Sequence, residues 1–296
     1  MEDIKTRTLS QWSILEDGKF SPTYPTTKSI PGGMYELFWD SHLQSVLLKK
    51  QELKTDELYE LPSPEINSIL EDIDLFFDNK KKYEKYKFIH KRGILLYGDP
   101  GCGKSGIIQM CTKKLIEKNN GIVINIKGEE DFNYLLDFIQ IIKSIESARE
   151  FIIILEDIDS LASGDNSITS NLLNLLDGVK QIENVVYIAT TNYPERLEER
   201  ITNRPSRFDR RYQIGMPNEK IRRAFIINKL EKKDLKNIDI DYLIDRTEGM
   251  SLSHLKEIII SIVLMGKDIN ETIDSIVLLN NSPKIKMGKT VGFSHH

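Results

Sequence analysis

The stretch "GILLYGDPGCGKS" (residues 93–105) decides the fold. Ile94 to Tyr97, apolar and bounded by glycines, predict a short buried strand. The next eight residues, "GDPGCGKS" (98–105), fit the pattern G-x-x-x-x-G-K-[ST], and helical periodicity follows over 104–118. Strand, glycine-rich loop and helix form the context in which that pattern cradles phosphates. Gly98, Gly101 and Gly103 allow tight turns that point N–H groups at phosphate oxygens. The following helix presents its positive end to the same anion. Lys104 is expected to reach the β- and γ-phosphates, and the Ser105 hydroxyl to ligate magnesium. Asp99, Pro100, Cys102 and Gly106 complete the expected phosphate-binding stretch. A glycine-rich turn that binds nothing is the alternative, and the flanking elements disfavour it. A helix N-terminus lowers a thiol's pKa, which would suit a redox sensor at Cys102, but an inert thiol is the expectation here.

Outward from this stretch, strand and helix signals alternate. "IVINI" (122–126), "FIIIL" (151–155), "VVYIATT" (185–191) and "RYQIGMP" (211–217) read as strands; 131–147 and 169–178 read as helices, the second closed by Gly178. Short apolar strands alternating with helices predict an α/β fold, a parallel sheet covered by helices on both faces, over 61–217. From Asn218 only helical patterns remain, over 218–233, 239–246, 251–265 and 268–278, predicting a small helical domain over 218–280. Residues 281–296 read as a flexible tail.

Upstream, Ser63 and Pro64 start a helix with apolar positions Ile66, Ile69, Ile73, Phe76 and Phe77. Residues 1–60 read as an arm followed by a β-hairpin, "MYELFWD" (34–40) with "SVLLKKQEL" (45–53). Trp12 and Trp39 there suit either an adaptor surface or plain packing.

"FIIILEDIDS" (151–160) ends its strand in acids. A phosphate-loop protein needs a carboxylate for the magnesium shell, and a hydrolase also needs a group that orients water. Glu156 and Asp157 supply both at a strand's C-terminal end, where open α/β sheets bind ligands. Asp159 is a third acid, suited to capping the next turn. A solvated strand end is the bland alternative.

The bulk numbers narrow the function class. The 296 residues carry a net charge of −4, against a dedicated nucleic-acid coat. Two cysteines, Cys102 and Cys111, cannot form a disulfide framework. The run "IIISIVLM" (258–265) falls far short of the roughly 20 residues that span a bilayer. "MEDIKTRTLS" lacks the layout of a signal peptide. A cytoplasmic protein without membrane partners is expected.

With "GDPGCGKS", "IIILEDIDSL", "YIATTN" and "NRPSRFDRR" in that order, the sequence resembles the AAA ATPases over about residues 61–265. The acid order, with "LLNLLDGV" and "ATTN", looks most like the branch containing the mitochondrial respiratory-chain assembly chaperones, without their membrane helix. The resemblance implies an ATP hydrolase with ATP and Mg2+ as cofactors. It implies that Ser105 and Glu156 hold the metal and that Asp157 activates water. Asn192, ending a strand that the resemblance places between the phosphate-loop strand and the acidic strand, becomes the polar sensor; a plain turn residue before Tyr193-Pro194 is the alternative. Arg204 and Arg207 become arginine fingers offered to a neighbouring subunit, which implies a homo-oligomer, most often a hexameric ring. Arg210 and Arg211 match no finger position and suit pairing with acids such as Asp209. "EGMSLSHLKEI" (248–258) resembles the family's adenine-side turn, except that Leu252 stands where a small residue is usual.

The function implied is a motor that remodels a protein or complex, with the partner engaged through residues 1–60. The alternatives are a nucleotide-gated scaffold with little turnover and a DNA-directed motor. "NKKKYEKYKFIHKR" (79–92) could meet nucleic acid, but reads better as a solvated helix face. Phe132, Tyr134 and Phe138 could line a pore, but their spacing suits the buried face of a helix.

Overall fold

The computed structural model describes residues 11–14, 20–24, 26–53, 61–162, 166–177, 182–197 and 207–281. Gly178, Arg204, residues 54–60 and the tail from 282 onward lie outside the described residues. The chain opens with a two-stranded ribbon, β1 (Gln11–Ile14) and β2 (Phe20–Thr23). The expected hairpin follows as β3 (Gly33–Asp40) and β4 (Ser45–Gln51), then helices α1 (Pro64–Asp78) and α2 (Lys80–Tyr86). Next come β5 (Lys91–Tyr97), α3 (Lys104–Asn119), β6 (Ile122–Ile126) and α4 (Glu129–Ile145). β7 (Phe151–Leu155), α5 (Ile158–Ala162), α6 (Asn166–Asp177), β8 (Val185–Thr191) and β9 (Arg210–Gln213) complete this part.

The seven strands β3 to β9 form one sheet in the order β4-β3-β6-β7-β8-β5-β9. All neighbours pair in parallel except β3 with β4. β8 therefore lies between the phosphate-loop strand β5 and the acidic strand β7, where the resemblance put it. The hairpin is no separate body: β3 pairs with β6 and extends the sheet by two strands.

Every residue of β7 and β8 is buried. Alternate side chains feed two cores, as the period of two requires. Ile153, Leu155, Tyr187 and Ala189 join one face with residues of α4 and α6. Ile152, Ile154, Val186 and Ile188 join the other with residues of α1 and α3. α1 starts as its sequence dictates: Ser63 Oγ accepts from the Ile66 N–H at 3.4 Å, and Pro64 takes the first turn, where its missing N–H costs nothing.

Two ambiguous stretches resolve by burial. Phe132 and Phe138 sit inside the core under α4, Tyr134 packs against it, and Phe138 meets Phe151 edge-on at 6.4 Å. They are core residues and line no pore loop. In the basic stretch, Lys81, Lys82 and Lys85 of α2 face solvent, while Tyr83 turns inward to Phe76 and His90.

After β9 the described residues are helical: α7 (Glu219–Lys229), α8 (Asp234–Asn237), α9 (Ile240–Arg246), α10 (Leu252–Ile259) and α11 (Ile269–Asn281). Asn218, Asp239 and Ser251 cap α7, α9 and α10 through their side-chain oxygens. α10 loosens into a π-turn over Ile260–Leu264, so its α-helical part is shorter than its periodicity suggests. The helices share a core of their own around Ile226, Leu243, Leu255, Ile258 and Ile273.

Substitution separates the two faces of α4. Phe138→Ala should cost about 3–5 kcal/mol of unfolding free energy in a denaturant titration, as buried aromatic truncations do. Ile145→Ala, at a position 65% exposed, should change it by no more than about 0.5 kcal/mol.

Candidate nucleotide site

The register of three strands assembles the site. Tyr97 pairs with Thr191, and Leu155 with Ala189, so β5, β7 and β8 end nearly flush. The loop after β5, the acids after β7 and Asn192 after β8 thus emerge together. Lys104, Ser105, Glu156, Asp157 and Asn192 line one cleft of about 630 Å3, within the range of small-ligand sites.

The loop's glycines are demanded by geometry. Gly98 has φ +145°, and a Cβ there would stand 2.2 Å from the Ile214 carbonyl oxygen. Gly101 has φ +78°, and a Cβ would fall within 3 Å of the Ser251 and Ser253 hydroxyls. Both conformations disfavour L side chains. Lys104 Nζ donates to the carbonyls of Gly98 and Asp99, at 2.7 and 2.9 Å. Burial pulls its ammonium below the ordinary lysine range, against the carboxylates of Asp157, Asp99 and Asp159. A desolvated cation held by two loop carbonyls is suited to an anion.

At the strand end, the backbone solves a directional problem. Adjacent strand residues face opposite sides, yet both acids line the cleft. The chain turns at Asp157, which takes φ +48°. Asp tolerates this left-handed conformation better than most residues. The Asp157 N–H donates to Thr190 Oγ1 at 3.1 Å, which holds the turn against β8. Asn192 Nδ2 then donates to Asp157 Oδ1 at 3.1 Å, and Asn192 Oδ1 is buried without a hydrogen-bond partner among the described residues.

Glu156 faces the loop. Ser105 Oγ donates to Glu156 Oε2 at 3.4 Å, and Asn125 Nδ2 donates to Oε1 at 3.2 Å. A hydroxyl beside a carboxylate suits magnesium, which takes one or two carboxylates together with phosphate oxygens and waters instead of a full protein cage. Accordingly, no group of three or more His, Cys, Asp or Glu that could hold a metal alone occurs among the described residues. The donor set fits the ion the resemblance implies.

The other residues singled out in the sequence fall elsewhere. Asp159, suited by position to a cap, is buried and accepts from Thr191 Oγ1 at 2.6 Å, tying α5 to β8. Asp209 accepts from the Gly93 N–H, while Arg210 pairs with Asp72 at 3.1 Å. Arg207 is buried, its Nε 2.7 Å from Asp177 Oδ2. Its carbonyl lies against Gly93, five residues before Gly98 and so about 16 Å down β5 from the loop. Arg207 therefore cannot serve its own subunit's loop. Arg204 lies outside the described residues.

Asn125 and Thr190 were missed as site residues. Their signal was faint: each is a polar residue in an otherwise apolar strand, "IVINI" and "VVYIATT". Such a residue must find a partner or face a ligand.

Residues 94–216 match the family described as "ATPase family associated with various cellular activities (AAA)". These residues belong to the AAA ATPase family. At the level of that family the activity is ATP hydrolysis at such a loop. The chain is 34% identical over 177 residues to the "ATPase family gene 2 protein" of Saccharomyces cerevisiae, covering 54% of this chain and 22% of that one. It is 30% identical over 210 residues to the "Proteasome-activating nucleotidase" of Thermococcus onnurineus, covering 66% and 52%. A "Putative cell division cycle ATPase" of Plasmodium falciparum is 30% identical over 217 residues, covering 68% and 17%. The chain thus spans from about a sixth to about half of the length of these relatives. Among the described residues, no helix is long and apolar enough to cross a membrane.

Cys102 answers the redox question. It is buried, and burial raises its thiol above the ordinary cysteine range despite the nearby Lys104. Cys111 is buried fully and pushed up to about 12. In the native protein at pH 8, neither thiol should react with an aromatic disulfide reagent at the rate of free cysteine, and both should react once guanidinium unfolds the chain. Fast labelling of native Cys102 would contradict this.

Proposed function

We propose that this chain is a magnesium-dependent ATP hydrolase whose turnover, in an oligomeric ring, remodels a protein or complex. The observation that carries the reading is the convergence of Lys104, Ser105, Glu156, Asp157 and Asn192 on one cleft. Lys104 and the loop amides bind the phosphates. Ser105 and Glu156 hold the magnesium ion, which when bound neutralises phosphate charge. Asp157 orients water and accepts its proton, and Asn192 fixes the Asp157 carboxylate through Nδ2. The partnerless Asn192 Oδ1 is an acceptor available to the same water.

The exchanged acids support a likeness to the assembly-chaperone branch. The exchange places a carboxylate one methylene shorter than Glu at the water position. Asp157 takes a left-handed φ of +48° at the strand end and lines the cleft despite its shorter side chain. Steady-state phosphate release tests the assignment: Lys104→Ala and Asp157→Asn should each abolish it. Unchanged release in both variants would sink the reading.

The finger roles of Arg204 and Arg207 belong to the same proposal. Arg207 sits too far from its own loop and is held by Asp177, so finger action requires a neighbour and release from that pair. This supports a second reading, a nucleotide-gated scaffold with negligible turnover, for the isolated subunit. A mixing experiment separates them. Arg204→Ala and Lys104→Ala, each inactive alone, should partly restore phosphate release when combined, because a mixed interface of one orientation pairs the intact loop of the Arg204→Ala subunit with the intact finger of the Lys104→Ala subunit. No recovery across a range of ratios, with mixed oligomers present by light scattering, refutes action in trans.

A further inference from the structure

The helical domain meets the phosphate loop through the N-terminus of α10. Ser251 caps that helix: its Oγ accepts from the His254 N–H at 3.4 Å, and its own N–H donates to His254 Nδ1 at 3.3 Å. Two residues on, the Ser253 N–H donates to the Gly101 carbonyl at 3.2 Å. Leu252 stands between these two anchors, at the first helical position. Its Cδ1 lies 3.0 Å from where a Cβ would sit on Gly103. The side chain also packs on the helical domain's own core. Leu252 therefore lies against the loop, in the cleft lined by Lys104 and Ser105. The two anchors hold its backbone, so the start of α10 cannot draw back from the loop without breaking the cap or the Ser253–Gly101 bond.

The cleft's lining gives a nucleotide a direction. Lys104, Ser105 and Glu156 form its phosphate end. Met110 is six residues along α3 from Lys104, about 9 Å away, and with Ile66, Ile221 and Phe225 supplies an apolar group suited to a base. The sugar must bridge the two. Leu252 offers the bridging segment no hydrogen bond and a fixed volume.

We propose that Leu252 is a specificity-determining residue. It presses on the sugar side of the bound nucleotide and rejects nucleotides carrying a bulky group on the 2′ or 3′ hydroxyl. A smaller side chain at this position would admit them. The proposal rests on the ATP-binding reading above, and its test separates the two.

Binding of ATP and of ATP bearing an N-methylanthraniloyl group on the 2′ or 3′ hydroxyl is measured by calorimetry, with magnesium, on the full chain carrying Asp157→Asn to prevent turnover. In the presence of Leu252 the substituted nucleotide should bind at least about tenfold more weakly than ATP, the scale on which a pocket rejects excess volume. Leu252→Gly and Leu252→Ala should bring the ratio to within about threefold while ATP still binds. Two outcomes overturn the proposal alone: equal binding of both nucleotides with Leu252 present, or an unchanged ratio in both variants. Failure of ATP itself to bind the Leu252 protein overturns the nucleotide reading as well. Leu252→Gly weakens a helix start, so Leu252→Ala guards against loss through folding.

Discussion

The in-register parallel pairing of β5, β8 and β7 is the constraint on which the rest depends. Flush strand ends bring three separate loops to one place: the phosphate loop, Asn192 and the acidic pair. A slip of one residue would turn every side chain of a strand to the opposite face. It would strip both cores and move Asn192 away from Asp157 together. Stability and site geometry are thus fixed by the same pairing, because both faces of these strands are buried.

Much of this was legible in the sequence for a physical reason. Fully buried parallel strands read as short unbroken apolar runs, and helices read through their 3.6-residue period, so β5 to β8, α1, α3 and α4 could be placed within a few residues. The phosphate loop was legible because its backbone needs glycines at fixed spacing. Other features were hidden because they depend on distant partners. That β3 joins β6 is a matter of pairing, which alternation within a hairpin does not reveal. Asp159 looked like a cap because local position suggests one, yet Thr191 claims it from 32 residues away. Asn125 serves Glu156 across a strand boundary that no local pattern marks.

The aromatic residues of α4 show how the two kinds of information combine. Their spacing allowed a pore or a core, and burial decided for the core. The turn leading into α4 is correspondingly tight: Asp131 Oδ2 accepts from the N–H groups of both Lys127 and Gly128, at 2.7 and 3.2 Å. Little backbone is left there to project. Arg207 illustrates the converse, since its motif suggests an outward-facing guanidinium and its surroundings hold it inward, against Asp177.

The hairpin that widens the sheet also ends it. Among the described residues β4 pairs only with β3, so its outer edge carries unpaired backbone groups, the usual template for strand-to-strand aggregation. Lys49 and Lys50 are consecutive and exposed on that edge strand, so their ammonium groups leave by opposite faces. A second copy approaching edge to edge would meet positive charge above and below the plane at once. The strand acts as a repellent rim, and it directs self-association to surfaces other than the sheet margin.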